Sequence, residues 1–145
     1  MFALPPELER MPLVLRFGSW VGGDMDGNTE VHAKAIRETL HRQQQRIISS
    51  YYEDCRALAS KLSQSAGRVG VGHELEARIA EYDILLPKAR AGASTRHDRM
   101  PYRIFLAQVA ERLRTTYDGR PNHYESVAHF IHDIELVATS LRANR

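Results

Sequence analysis

VHAKAIRETLHRQQQRIISSYYEDCRALASKL, residues 31–62, is the stretch on which the fold turns. Ile36, Leu40, Ile47, Tyr51, Cys55, Leu58 and Leu62 recur at intervals of 4, 7, 4, 4, 3 and 4, which is the signature of one face of an α-helix. No proline or glycine interrupts it, and the polar run His41 to Arg46 lies inside it without a breaker. The pattern predicts one helix of about 30 residues, about 45 Å long at 1.5 Å per residue. A Ser- and Gly-rich segment, 63–72, ends it.

Downstream the same period returns three times. Leu75, Ile79, Tyr82 and Leu86 predict a second helix over 74–86, stopped by Pro87. Residues 88–100 read as an exposed polar loop. Pro101 suits a first helical position, and Tyr102, Phe105, Leu106, Val109, Leu113 and Tyr117 mark a third helix, ended by the turn residues Asp118 to Pro121. Asn122 with Glu125 has the form of an N-cap and its reciprocal acid, opening a fourth helix that buries Val127, Ile131, Ile134, Val137 and Leu141. The expected class is all-α, four amphipathic helices in a bundle.

Upstream, Pro5, Pro6 and Pro12 predict an extended arm, and Leu13 to Phe17 a short strand for which the chain offers no partner. FGSWVGGDMDGN follows at 17–28, a glycine-punctuated loop with two carboxylates and the sole tryptophan. The expected organisation is a single mostly helical domain, 1–145: arm, strand and glycine loop over 1–30, helices over 31–145.

Composition narrows the function. A chain of 145 residues, 43% hydrophobic and 26% charged, holds one core. Its formal charge of +2 is spread among 20 basic and 18 acidic residues, unlike the basic field of a nucleic-acid binder, so no nucleic-acid partner is expected. The apolar runs are too short for a membrane span. The N-terminus lacks the features of a secretion signal and the single Cys55 cannot form an internal disulfide, which points to the cytoplasm.

The candidates for chemistry are few. Asp24 and Asp26 could share a cation, but no glutamate stands where a calcium loop needs one, and capping the loop's own backbone is the simpler role. His129 and His132 are one turn apart without a third ligand. Cys55 sits on the apolar stripe and reads as a small core residue rather than a nucleophile. The cluster from Arg96 to Arg103 is either an anion holder beside a helix N-terminus or a solvated basic loop.

The loop at 17–28 resembles the signature of the phosphoenolpyruvate carboxylase family, F-x-S-W-M-G-G-D-R-D-G-N-P, and Met100-Pro101-Tyr102-Arg103 resembles that family's later P-Y-R helix. The resemblance spans residues 12–115. It implies a mostly helical, cytoplasmic, homotetrameric enzyme with a central β-barrel, converting phosphoenolpyruvate and bicarbonate to oxaloacetate and phosphate with Mg2+ or Mn2+. By the same resemblance Leu13 to Phe17 is a barrel strand, and Trp20 walls the apolar pocket for bicarbonate and carbon dioxide. Gly22, Gly23, Asp24, Asp26, Gly27 and Asn28 shape the pocket loop, and Arg103 belongs to an effector anion site. Met25 and Thr29 replace the family's arginine and proline, so the arginine's contacts do not carry over. The family's catalytic histidine, phosphoenolpyruvate-binding lysine and arginine, and metal-holding acids have no counterpart in this sequence. The expectation is therefore a fragment or excised domain, inactive alone, binding no metal itself, partnered by the rest of the carboxylase and prone to self-association when isolated. The alternative is a free-standing helical interaction module without catalysis.

Overall fold

A computed structural model describes residues 32–62, 70–90 and 99–144. They form four helices, α1 (Ala33–Lys61), α2 (His73–Leu85), α3 (Pro101–Tyr117) and α4 (Val127–Ala143), with one 3-10 turn at Pro87–Ala89. The all-α expectation holds, with no strand among the described residues. The arm, the strand at 13–17 and the glycine loop at 17–28 lie outside the described residues. The chain divides into two units, Met1–Arg42 and Gln43–Arg145, with the boundary inside α1.

In the first unit the description begins at His32. Its carbonyl accepts from the Ile36 N–H at 3.0 Å and its Nδ1 accepts from the Ala35 N–H at 3.1 Å. The ring therefore satisfies one of the amides that a helix start leaves without an intrahelical partner.

The second unit is built on α3. Phe105, Leu106 and Val109 are fully buried there, as the spacing predicted, and α3 packs most extensively on α2 through Leu75, Ile79 and Tyr82. The Phe105 ring stacks on Tyr82 with centroids 5.7 Å apart. Pro101 opens α3 at its first position, where the missing N–H costs no helical bond. Gly119 closes it at φ 63. The Arg120 N–H reaches back to the Thr115 carbonyl at 2.9 Å and the Gly119 N–H to Thr116 at 3.3 Å, the Schellman arrangement that needs a left-handed residue after the helix.

α2 is capped from outside its own segment. Gly72 occupies its N-cap position without a side chain to offer, and its N–H donates to the Ser140 hydroxyl of α4 at 3.0 Å. The Tyr102 hydroxyl lies 2.9 Å from the same oxygen. A Cβ on Gly70 would stand 2.5 Å from the Asn144 side-chain oxygen, so the segment entering α2 passes close against the end of α4. At the other end of α2, the buried Gln108 of α3 donates to the Ile79 carbonyl at 3.1 Å and to Asp83 at 2.8 Å.

Three expectations need correction. The α1 stripe read from the sequence combines two adjoining stripes. Ile48, Tyr52, Cys55, Ala59 and Leu62, at intervals of 4, 3, 4 and 3, face the core. Leu40, Ile47, Tyr51 and Leu58 are 58%, 48%, 39% and 37% exposed. A helix lying on one side of a small core buries a stripe about 100° wide, and within the second unit the line of Ile47, Tyr51 and Leu58 falls at its edge. On α4, Val127 and Ile131 are likewise exposed, while Leu136, Val137 and Ser140 are buried. Asn122 does not cap that helix, because Ser126 holds the N-cap position. Asn122 instead adopts φ 65, a conformation Asn tolerates better than most residues, and its amide donates to the Leu85 carbonyl at the end of α2 at 2.8 Å.

Candidate functional site

Trp20, Gly22, Gly23, Asp24, Asp26, Gly27 and Asn28, together with Arg96, His97 and Asp98, lie outside the described residues. Arg103 is described. It stands in the first turn of α3, half-buried. His129 and His132 are exposed on α4, and among the described residues no group of three or more His, Cys, Asp or Glu is placed to hold a metal. No described helix is long and apolar enough to cross a membrane. Cys55 is 4% exposed. Burial first, and the nearby Asp54 second, push its thiol up to about 11, so it stays protonated near neutrality and behaves as the small core residue its place in the pattern predicts.

The dominant polar feature is one that the sequence reading did not single out. Asp133 of α4 is 1% exposed. Its Oδ2 accepts from the Tyr82 hydroxyl at 2.5 Å and from the Tyr124 hydroxyl at 2.6 Å. Arg112 of α3 donates to the Tyr82 hydroxyl, lies 4.0 Å from Asp133 Oδ2 and sits over the Tyr124 ring at 4.3 Å. Asp133 Oδ1 is buried without a partner.

Each member is held by its own element. Tyr82 is one of the inward residues of α2, and Arg112 follows Gln108 by one turn on α3. Tyr124 is fixed within the 118–126 connection, where its N–H donates to the Thr116 hydroxyl at 2.9 Å and the Thr115 hydroxyl reaches the Asn122 carbonyl at 3.3 Å. One carboxylate thus joins α2, α3, α4 and the connection between the last two. The available signal was an acid at position 133, four residues before Val137 and seven before Ser140. That spacing places it on the inward face of α4.

Burial foremost, then the hydrogen bond to Asp133 and that residue's charge, push the Tyr82 phenol up from its ordinary 10.0 to about 12, with Arg112 opposing. Tyr124 moves in the same direction, chiefly by burial and then by the charge of Asp133. Both phenols are donors at neutral pH, and through them the cluster binds the elements together. The linkage sign follows. The folded pKa of Tyr82 lies above the unfolded one, so its contribution is fully present below pH 10 and is lost as pH rises toward about 12, and the shift of Tyr124 has the same sign. Urea midpoints measured between pH 8 and 12 are expected to be flat at first and then fall, and Tyr82→Phe should make the fall shallower. Beside Arg112, a cavity of about 170 Å3 is lined by Leu85, Leu86, Asn122, His123 and Glu125.

The sequence model of the family described as "Phosphoenolpyruvate carboxylase" matches residues 3–145. The chain is 43% identical over 135 residues to the phosphoenolpyruvate carboxylase of Xanthomonas euvesicatoria pv. vesicatoria, covering 93% of this chain and 15% of that protein. It is 32% identical over 149 residues to the protein of the same name from Azorhizobium caulinodans, covering 92% and 15% respectively. The corresponding figures for Chromobacterium violaceum are 31% over 149 residues, 95% and 16%. The chain therefore spans about 15% of the length of these relatives. No solved structure matches it. The loop and P-Y-R resemblances thus belong to a similarity that runs nearly end to end, and the chain belongs to the phosphoenolpyruvate carboxylase family.

Proposed function

We propose that this chain acts as one piece of a cytoplasmic, homotetrameric phosphoenolpyruvate carboxylase, supplying the loop that walls the bicarbonate and carbon dioxide pocket. The observation that carries the reading is FGSWVGGDMDGN at 17–28, set within a family match over residues 3–145. In this reading the Trp20 indole provides a dry apolar wall. Water excluded there cannot compete for carboxyphosphate or for the enolate that receives the carbon. Gly22, Gly23 and Gly27 let the backbone turn tightly behind the indole, and Asp24, Asp26 and Asn28 hold that turn by capping its amides. Arg103, half-buried in the first turn of α3, is the residue we assign to an anionic activator. Mg2+ or Mn2+, where the full enzyme uses it, is held by other segments.

Two outcomes follow. Purified 145-residue chain, given both substrates and magnesium, is expected to form no oxaloacetate, and measurable formation would overturn the assignment of catalysis to the larger enzyme. In a full-length carboxylase containing this segment, Trp20→Ala is expected to raise the KM for bicarbonate about tenfold, equivalent to about 1.4 kcal/mol. The KM for phosphoenolpyruvate should change much less. Equal shifts in both constants would remove Trp20 from the bicarbonate pocket.

A further inference from the structure

Within the second unit, two pairs of large apolar side chains are exposed, one on α1 and one on α4. Ile47 and Tyr51, one turn apart on α1, are 48% and 39% exposed, and Val127 and Ile131, one turn apart on α4, are 68% and 49% exposed. The Tyr51 ring meets that of Phe130 with centroids 5.2 Å apart, and Phe130 packs in turn on Tyr124 at 5.6 Å. The ring contact joins the two pairs into one apolar face anchored on the core, and none of its five members carries a charge. Single exposed hydrophobes are ordinary, but a joined set across two helices marks a surface that is covered in the working protein. The i, i+4 spacing on each helix also suits the apolar stripe of an incoming helix.

We propose that this face is the seat of another helical segment of the carboxylase polypeptide, one that presents aliphatic side chains to Tyr51, Phe130 and Ile131. The inference rests on the reading that this chain works within the larger enzyme. The chain accounts for about 15% of the relatives it matches, so most of such a polypeptide lies outside these residues. A segment of the same polypeptide meets the face at a high effective concentration, whereas a second molecule loses translational and rotational freedom on binding.

The test is thiol accessibility in a full-length carboxylase containing this segment. Val127→Cys and Ile131→Cys probe the face, and His129→Cys, itself exposed and about 160° around α4 from both, is the control. Maleimide is expected to react at positions 127 and 131 at least about tenfold more slowly than at 129, because access to a docked surface requires local opening. Hydroxyl-radical oxidation of Tyr51 in the unmodified enzyme should be suppressed in parallel. Equal reactivity at all three positions would overturn the proposal. Protection that disappears when the oligomer is diluted to protomers would overturn it too, by assigning the cover to a second copy. Oxaloacetate formation by the same preparations separates the two claims. An active enzyme with unprotected thiols removes the docking face alone, and protected thiols in the variants together with an unmodified enzyme unable to form oxaloacetate remove the functional reading alone.

Discussion

Asp133→Ala is expected to destabilise the second unit by about 3–5 kcal/mol, the cost typical of removing one partner from a buried charge pair. The carboxylate is 1% exposed and a single oxygen serves both Tyr82 and Tyr124. Alanine would leave two buried hydroxyls with no acceptor there and the Arg112 guanidinium without its neighbouring negative charge. An orphaned buried polar group alone costs about 1–3 kcal/mol. Asp133→Asn keeps an acceptor oxygen in place and loses only the charge, so its cost should be smaller. Pairing Asp133→Ala with Tyr82→Phe should cost less than the two changes summed, since the second removes a donor that the first has stranded. Urea unfolding monitored by helical circular dichroism reads all of these. A loss below about 1 kcal/mol for Asp133→Ala, the level of an ordinary surface change, would show that the cluster is not what joins the helices.

Phe105→Ala is expected to cost a similar amount, about 3–5 kcal/mol, by a different route. Its ring is 0% exposed, lies one turn into α3 and stacks on Tyr82. Truncation loses the transfer energy of the ring and opens a cavity that the surrounding helices cannot fully close. Tyr117→Ala on the same helix is the comparison, since Tyr117 is 43% exposed and should cost well under half as much. A Phe105→Ala loss no larger than that of Tyr117→Ala would place the core elsewhere than on α3.

The helices themselves were largely legible. Pro87 and Pro101 and the turn at Asp118 to Pro121 punctuate the 3.6-residue period, and α2 and α3 fall within a residue of where that period puts them. Period alone did not choose between the adjoining lines on α1. Ile47 and Tyr51 are as apolar as Ile48 and Tyr52, and only the position of the other three helices decides which pair turns inward. The start of α4 escaped because Asn122 has two uses. It can cap a helix, or it can enter the left-handed region and satisfy a carbonyl of α2, and the second depends on Leu85, 37 residues away. The Asp133 cluster was illegible for the same reason, since the bond from Tyr82 to Asp133 joins residues 51 apart. The candidate pocket loop shows the reverse. At 17–28 the spacing of glycine, acid and tryptophan is distinctive without any tertiary partner, and its reading rests on that string.

The Ser140 hydroxyl at the start of α2 also orders events in time. The Gly72 amide it accepts from is 68 residues earlier in the chain, so a nascent polypeptide emerges with α2 uncapped and stays so until the last turns of α4 have left the ribosome. Helix propensity can form the middle of α2 early, but its first turn waits on a contact of long sequence separation, the kind that slows folding. Chain termination before residue 140 would therefore leave an amide exposed at one end of the bundle, a defect set by synthesis rather than by the local sequence of α2.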